Sequence, residues 1–162
     1  MRVDPRRGAA ASNSVVNRTP RIQRAWARLH ARLYRATGGR FLPRWFDGAP
    51  VMVLETVGRR SGRRRRTPVL YLRDGERLVV CAANAGSERT PAWWHNLRAA
   101  GEGDVVIGRR RRPVRPRALE GSERERLWRA FAEMYPQVEH YTRFTDRPLP
   151  LIALEPLPEG GR

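Results

Sequence analysis

Residues 58–68 read GRRSGRRRRTP, with six arginines threaded between two glycines, a serine and a threonine. Glycines let backbone amides approach an anion closely, and hydroxyls donate to it. Guanidinium forks match phosphate and carboxylate oxygens. The stretch is not a Walker loop, which needs Gly-Lys-Ser/Thr ahead of a helix, nor a dinucleotide fingerprint. By itself a solvated charge run between two strands explains it equally well. A second cluster, NAGSERTPAWWHNLRA (84–99), sets Asn84, Gly86, Ser87 and Thr90 ahead of a helix start that carries Trp93 and Trp94. Helix starts favour anions and polar ligand edges. Adjacent helical residues point about 100° apart, so the two tryptophans are not expected to face the core equally. Either one lies against a ligand ring, or both are core-and-rim aromatics. In a third cluster, MYPQVEHYTRFTDRPLP (134–150), Tyr135 and Tyr141 flank a proline break and Asp146-Arg147 leads towards the last apolar run. Aromatics on an irregular segment line pockets or seal the end of a barrel.

Other chemistries find little support. His30, His95 and His140 sit on separate elements without carboxylates at ligand spacing, so no metal set is expected. There is no Gly-x-Ser-x-Gly elbow. Cys81, the sole cysteine, lies in an apolar strand and reads as packing rather than a nucleophile. It cannot form a disulfide within the chain, which fits a reducing compartment.

The elements that must carry these clusters follow from periodicity. Residues 1–19 read as a disordered basic tail, with no apolar core to make them a secretory signal. Ile22, Trp26, Leu29, Leu33 and Ala36 recur at helical spacing, giving an amphipathic helix over 20–37. It packs one stripe on the core or touches anionic lipid. Val51–Val57 reads as a strand. TPVLYLRDGERLVVCAA (67–83) reads as a hairpin about Asp74-Gly75. Thr90 is placed to cap the helix PAWWHNLRAA and Gly101 to end it. GDVVIG and RPVRPRAL form a second hairpin around arginines 109–112. Ser122 and Glu125 suggest a capping box for a helix buried through Leu127, Phe131 and Met134. LPLIALEP is a last strand. Tight hairpins force antiparallel pairing. The expected fold is therefore α+β, mainly β with helices: a mostly antiparallel barrel forming one domain over 20–158.

The 162 residues contain 33 basic and 16 acidic side chains, for a net charge of +17. Such a balance draws a chain towards nucleic acid, acidic lipid or a phosphorylated cofactor. Yet every basic residue is arginine, the signature of a GC-rich genome, so arginine alone carries reduced information. The arginines also spread over every element while the aromatics cluster elsewhere, which argues against a specific nucleic-acid platform. No stretch reaches the roughly 18 apolar residues of a membrane span. The expected location is cytoplasmic, with contact at the inner membrane surface through 20–37.

The run VLETVGRRSGRRRRTPVLYLRDGERLVVCAANAGSERTPAWWHNLRA, followed by MYPQVEHYTRFTDRPLPLIALEP, resembles the deazaflavin-dependent nitroreductase and quinone reductase family over residues 45–156. That resemblance implies a split β-barrel of the FMN-binding-like type and coenzyme F-420, a deazaflavin with a phosphate and a polyglutamate tail. It implies hydride transfer to a quinone, enone or nitroaromatic acceptor. Carried over by position, it puts Arg59, Arg60 and Ser61 on the anionic tail. Arg65, Arg66, Thr67, Pro68 and Val69 fall along the phosphate and ribityl chain. Cys81, Ala82, Ala83 and Asn84 border the deazaflavin. Ala92, Trp93, Trp94 and Asn96 close over it from the helix start. Tyr135 and Tyr141 line the acceptor side and orient the acceptor. Arg60 stands where the family often has lysine. Ala83 and Val138 replace a serine and a tyrosine of the nitroreductase-type members, both on the acceptor side. Related split barrels bind FAD or FMN or carry lipid-like ligands, which leaves a flavin or lipid carrier as the alternative. Split barrels often pair, so a homodimer is expected.

Overall fold

The computed structural model describes residues 48–158. The basic tail 1–19 and the helix expected over 20–37 lie outside the described residues. Seven strands form one antiparallel sheet: β1 (Val51–Val57), β2 (Arg64–Leu70), β3 (Leu72–Asp74), β4 (Arg77–Cys81), β5 (Gly103–Ile107), β6 (Arg110–Ala118) and β7 (Leu151–Pro156). Among the described residues three α-helices accompany them: α1 (Ala92–Ala100), α2 (Gly121–Met134) and the short α3 (Gln137–Tyr141).

Both hairpins foreseen from sequence are present. Asp74 faces Arg77 across Gly75 and Glu76, and Ile107 faces Arg110 across Gly108 and Arg109. Gly75 and Gly108 take the positive φ that two-residue hairpin loops require. The second arginine run is thus mostly strand: residues 110–112 open β6.

The strand order is β2-β1-β5-β6-β7-β4-β3. β2 and β3 are the two edges, yet only Tyr71 separates them in the chain. The sheet must therefore curl until its edges meet, and this bend makes the split β-barrel. Sequence periodicity did not reveal the break. The run through Tyr71 is uniformly apolar, and only the change of partner, from β1 to β4, divides it. The Tyr71 amide donates to Pro50 O at 3.2 Å and fixes the bend.

Alternation along the strands sorts residues to two sides. Met52, Leu54, Val80, Val105, Val114, Ile152 and Leu154 fill the barrel, where Trp93, Trp94 and Leu97 of α1 join them. Val79, Leu151 and Ala153 face the other way, against Leu127 and Phe131 of α2, Tyr135 just beyond its end and Val138 of α3. Two caps differ from expectation. Pro91 rather than Thr90 precedes α1, with the Trp94 amide returning to Pro91 O at 3.1 Å. Glu120 precedes α2 with no side-chain capping bond, because Gly121, at φ +56°, already turns the chain into the helix and places Ser122 inside its first turn. Gly101, left-handed with φ 72°, ends α1 as expected.

Candidate functional site

The arginine turn is built by backbone bonds. The Gly58 amide donates to Arg63 O at 2.8 Å, and the amides of Ser61 and Gly62 donate to Gly58 O at 3.1 and 2.8 Å. Asn96 of α1 ties this turn to the barrel: its Oδ1 accepts from the Arg59 amide at 3.2 Å, and its Nδ2 donates to Thr56 Oγ1 at 3.3 Å. Asn96 is buried, and these two bonds occupy half of what its amide can make. It is therefore the anchor of the turn first, with one donor and one acceptor site to spare.

Strand parity divides the arginines that follow. Across β1, Thr56 faces Arg65, Leu54 faces Thr67 and Met52 faces Val69. Met52 and Leu54 belong to the barrel interior, so Arg65, Thr67 and Val69 share that side, with Val69 packed on the interior cluster. Glu55 faces Arg66 and Val53 faces Pro68 on the opposite side. There Arg66 Nε lies 2.7 Å from Glu55 Oε1, and Arg111 Nη2 lies 3.1 Å from Glu55 Oε2 and 2.8 Å from Asp104 Oδ2. Two buried carboxylates thus claim Arg66 and Arg111. Arg59, Arg60, Arg63, Arg64 and Arg65 form no ion pair with any described residue and are all exposed. Strand parity puts Arg65, Thr67 and Val69 on the interior side and Arg66 and Pro68 on the other, while Arg59, Arg60 and Ser61 lie in the turn that leads into β2.

Both tryptophans are 7% exposed and lie in one core cluster, with ring centroids 6.4 Å apart and planes tilted by 59°. This departs from the unequal burial expected. The apolar arc of a helix is about as wide as the angle between neighbours, so Trp93 and Trp94 straddle its centre together with Asn96 and Leu97. Arg98 lies 5.8 Å over the Trp94 ring. Ala92, at the helix start, is exposed.

At the end of β4, Ala82 joins the barrel interior while Cys81 turns to the α2 side. Burial pushes the Cys81 thiol up to about 12, against the opposing pull of Arg124 and Arg147, so it stays protonated and inert. A turn with three successive left-handed residues follows: Asn84 (φ 50°), Ala85 (φ 52°) and Gly86 (φ 74°). Asparagine and glycine tolerate this conformation, but for Ala85 it costs about 1–2 kcal/mol, so the surroundings must hold Ala85 there. The Asn84 side chain bonds across its own loop to Arg89 O at 2.7 Å. A Cβ on Gly86 would come 3.1 Å from Tyr141 O and 3.2 Å from Tyr141 Cα, so α3 presses directly on the turn. The Arg147 guanidinium reaches Ala82 O, Ala83 O and Ser87 O from the other side. The sequence puts Arg147 in the third cluster but gives it no role, because nothing in its context distinguishes it among so many arginines.

Tyr135 and Tyr141 are brought together. Their hydroxyls are 2.8 Å apart and their rings 6.2 Å, and the Tyr135 hydroxyl also donates to Gln137 Oε1 at 3.3 Å. The pair meets the rest of the site through the Tyr141–Gly86 contact. The Arg110–Arg112 depression, closed by Pro113 and Leu157, shares no residue with this assembly.

A curled antiparallel split barrel carries a glycine turn whose guanidiniums have no acid partner among the described residues, and a left-handed turn beside an aromatic pair; such a fold and site suit a protein that holds an anionic ligand. The model of the F420H(2)-dependent quinone reductase family matches residues 26–156, and the chain belongs to that family. It is an F-420-dependent oxidoreductase with coenzyme F-420 as its cofactor. An F420H(2)-dependent quinone reductase of Mycobacterium tuberculosis (strain H37Rv) is 33% identical over 135 residues, 78% of this chain and 87% of the relative. A solved F420-H2 dependent reductase, FDR-A, superposes with a TM-score of 0.60 at 31% identity, covering 65% of this chain and 94% of that one. A second solved chain, from a domain-swapped dimer, gives 0.63 at 27% identity over 83% of this chain and 96% of its own length.

Proposed function

We propose that this chain passes a hydride from reduced F-420 to a quinone, and by the same chemistry to an enone or nitroaromatic acceptor. The observation that carries the proposal is the sorting of the arginines. The turn holds Arg59, Arg60 and Arg65 without a carboxylate among the described residues, while Glu55 neutralises the neighbouring Arg66. Charges without an acid partner among the described residues, gathered at a glycine turn, suit the phosphate and polyglutamate tail of this cofactor. When bound, the cofactor supplies the hydride, and the protein supplies position and field.

In this reading Arg59, Arg60, Ser61 and Arg65 hold the anionic tail, and Thr67 and Val69 line the path towards the ring. Ala82, Ala83 and Asn84 border the ring through backbone, since two of the three side chains are only methyl groups. Trp93 and Trp94 form the floor of the barrel beneath, and Asn96 sets the turn rather than the ligand. Arg66, Pro68 and Cys81 support the strands from the far side. Tyr135 and Tyr141, as a hydroxyl pair, orient the acceptor oxygen. No buried acid is needed, because the tyrosine pair or solvent supplies the proton. A homodimer is the assembly we propose, supported by the dimeric solved relative and tested by light scattering.

The test is a side-by-side titration with F-420, FMN and FAD, followed by oxidation of reduced F-420 with menadione. Tight binding of F-420 and menadione-dependent oxidation are expected. F-420 binding without menadione turnover would overturn the quinone assignment, and preference for FMN or FAD would overturn the reading of the site.

A further inference from the structure

In the left-handed turn 84–86 only Ala85 takes a conformation that its residue type disfavours, and Arg147 binds the carbonyls around it. Arg147 Nε donates to Ser87 O at 2.8 Å, Nη1 to Ala82 O at 3.1 Å and to Pro148 O at 3.2 Å, and Nη2 to Ala83 O at 2.7 Å. Every nitrogen of the guanidinium is engaged, and three of the four acceptors are carbonyls flanking the turn. Arg147 is itself seated by its amide, which donates to Thr145 Oγ1 at 3.2 Å, and Thr145 is buried. No carboxylate competes for Arg147 among the described ion pairs, so the guanidinium serves backbone alone. Within the turn, the backbone bonds Gly86 N to Ala83 O and Ser87 N to Asn84 O, both at 3.0 Å, and the Asn84 side-chain bond to Arg89 O at 2.7 Å act beside Arg147.

We infer that Arg147 is a positioning residue of the reductase site, setting the backbone shape of the Ala82–Asn84 border against which the cofactor ring rests. The inference rests on the proposed location of the cofactor. It also explains why the segment between α3 and β7 returns to the end of β4: Tyr141, the last residue of α3, and Arg147, within the segment, both hold the turn. The role demands a planar fork. An ammonium offers its donors from one atom and cannot reach the carbonyls of residues 82, 83 and 87 together. Lysine therefore does not replace arginine here, although it would at a site that needs only charge.

Arg147→Lys and Arg147→Gln test this by two measurements made well below the onset of unfolding. Amide exchange in the unliganded chain should rise about tenfold or more at Gly86 and Ser87 in both variants. Exchange at the amides of β1 and β5 should stay unchanged. The F-420 dissociation constant should rise about tenfold in both, lysine matching glutamine within about threefold. Unchanged exchange at Gly86 and Ser87 overturns the restraint. Faster exchange with an unchanged dissociation constant overturns the link to the site, as does full recovery by lysine. A wild-type chain that fails to bind F-420 overturns the cofactor reading instead, and the exchange measurement still decides whether Arg147 shapes the turn.

Discussion

Arg65 and Arg66 are neighbours in sequence and opposites in the fold, and replacing each in turn by glutamine separates two kinds of arginine. Arg66 is 62% exposed, but its partner Glu55 is only 6% exposed and keeps Arg111 when Arg66 is lost. A hydrogen bond to a charged group is worth about 1.5–3 kcal/mol. Solvent screening at the Arg66 end and the surviving Arg111 contact lower this to about 1–2 kcal/mol. For a chain of this size that is a drop of roughly 3–6 °C in Tm, with the F-420 dissociation constant unchanged. Arg65 has no acid to lose, so Arg65→Gln should leave stability within about 0.5 kcal/mol. The anion it would hold in the complex is deprived of a charged donor. The same range of about 1.5–3 kcal/mol then appears in binding, raising the dissociation constant about 10- to 100-fold. Differential scanning fluorimetry and cofactor titration on the two variants complete the comparison. Equal weakening of binding by both, or a loss of stability from Arg65→Gln alone, would refute the sorting by strand parity.

Further outcomes are expected elsewhere. Gly103→Ala places a Cβ 2.6 Å from Leu97 Cδ2 and 2.9 Å from Glu55 O. The carbonyl cannot yield, so the denaturant midpoint should report a loss of about 1–3 kcal/mol. Tyr141→Phe breaks the hydroxyl pair, and kcat/KM for the quinone should fall while the F-420 dissociation constant holds; a fall in cofactor affinity instead would move this pair to the cofactor side. The Cys81 thiol is raised to about 12 in the fold. Its contribution to stability is complete below the unfolded thiol's pKa, near 8.5, and is lost as pH rises towards 12. Cys81→Ala should flatten the alkaline limb of a stability–pH curve, and the native thiol should resist iodoacetamide at pH 8. Glu123 is held down to about 2, first by Arg117 and then by Arg77. Its contribution is present above the ordinary carboxylate range and is lost as pH falls through about 2, so Glu123→Gln should shrink the acid limb of the same curve.

What sequence could reveal was local. The β-branched run of β1, the Asp74-Gly75 hairpin and the Gly101 stop are each determined by residues within a turn of one another. The break at Tyr71 was hidden because a partner at the far edge of the sheet decides it. The equal burial of Trp93 and Trp94 was hidden because the width of the surface receiving α1 is a property of the barrel. At the candidate site, the glycine turn and the tyrosine pair announced themselves by composition. The division between Arg65 and Arg66 needed the register of β2 against β1, and Arg147 needed coordinates. One arginine among many gives no signal until the carbonyls around it are known.

The ion cluster on the convex side of β1 has a consequence for the whole surface. With 33 basic side chains and 16 acidic ones, carboxylate is the limiting reagent, and most arginines must go without. Each acid therefore acts as a ballot. Glu55 and Asp104 elect Arg66 and Arg111 to architecture, and Asp74, Glu123 and Glu155 do the same for Arg77, Arg117 and Arg126. An acid introduced beside the 58–63 turn would recruit its guanidiniums into the scaffold and silence the turn as an anion receptor, with the fold left standing.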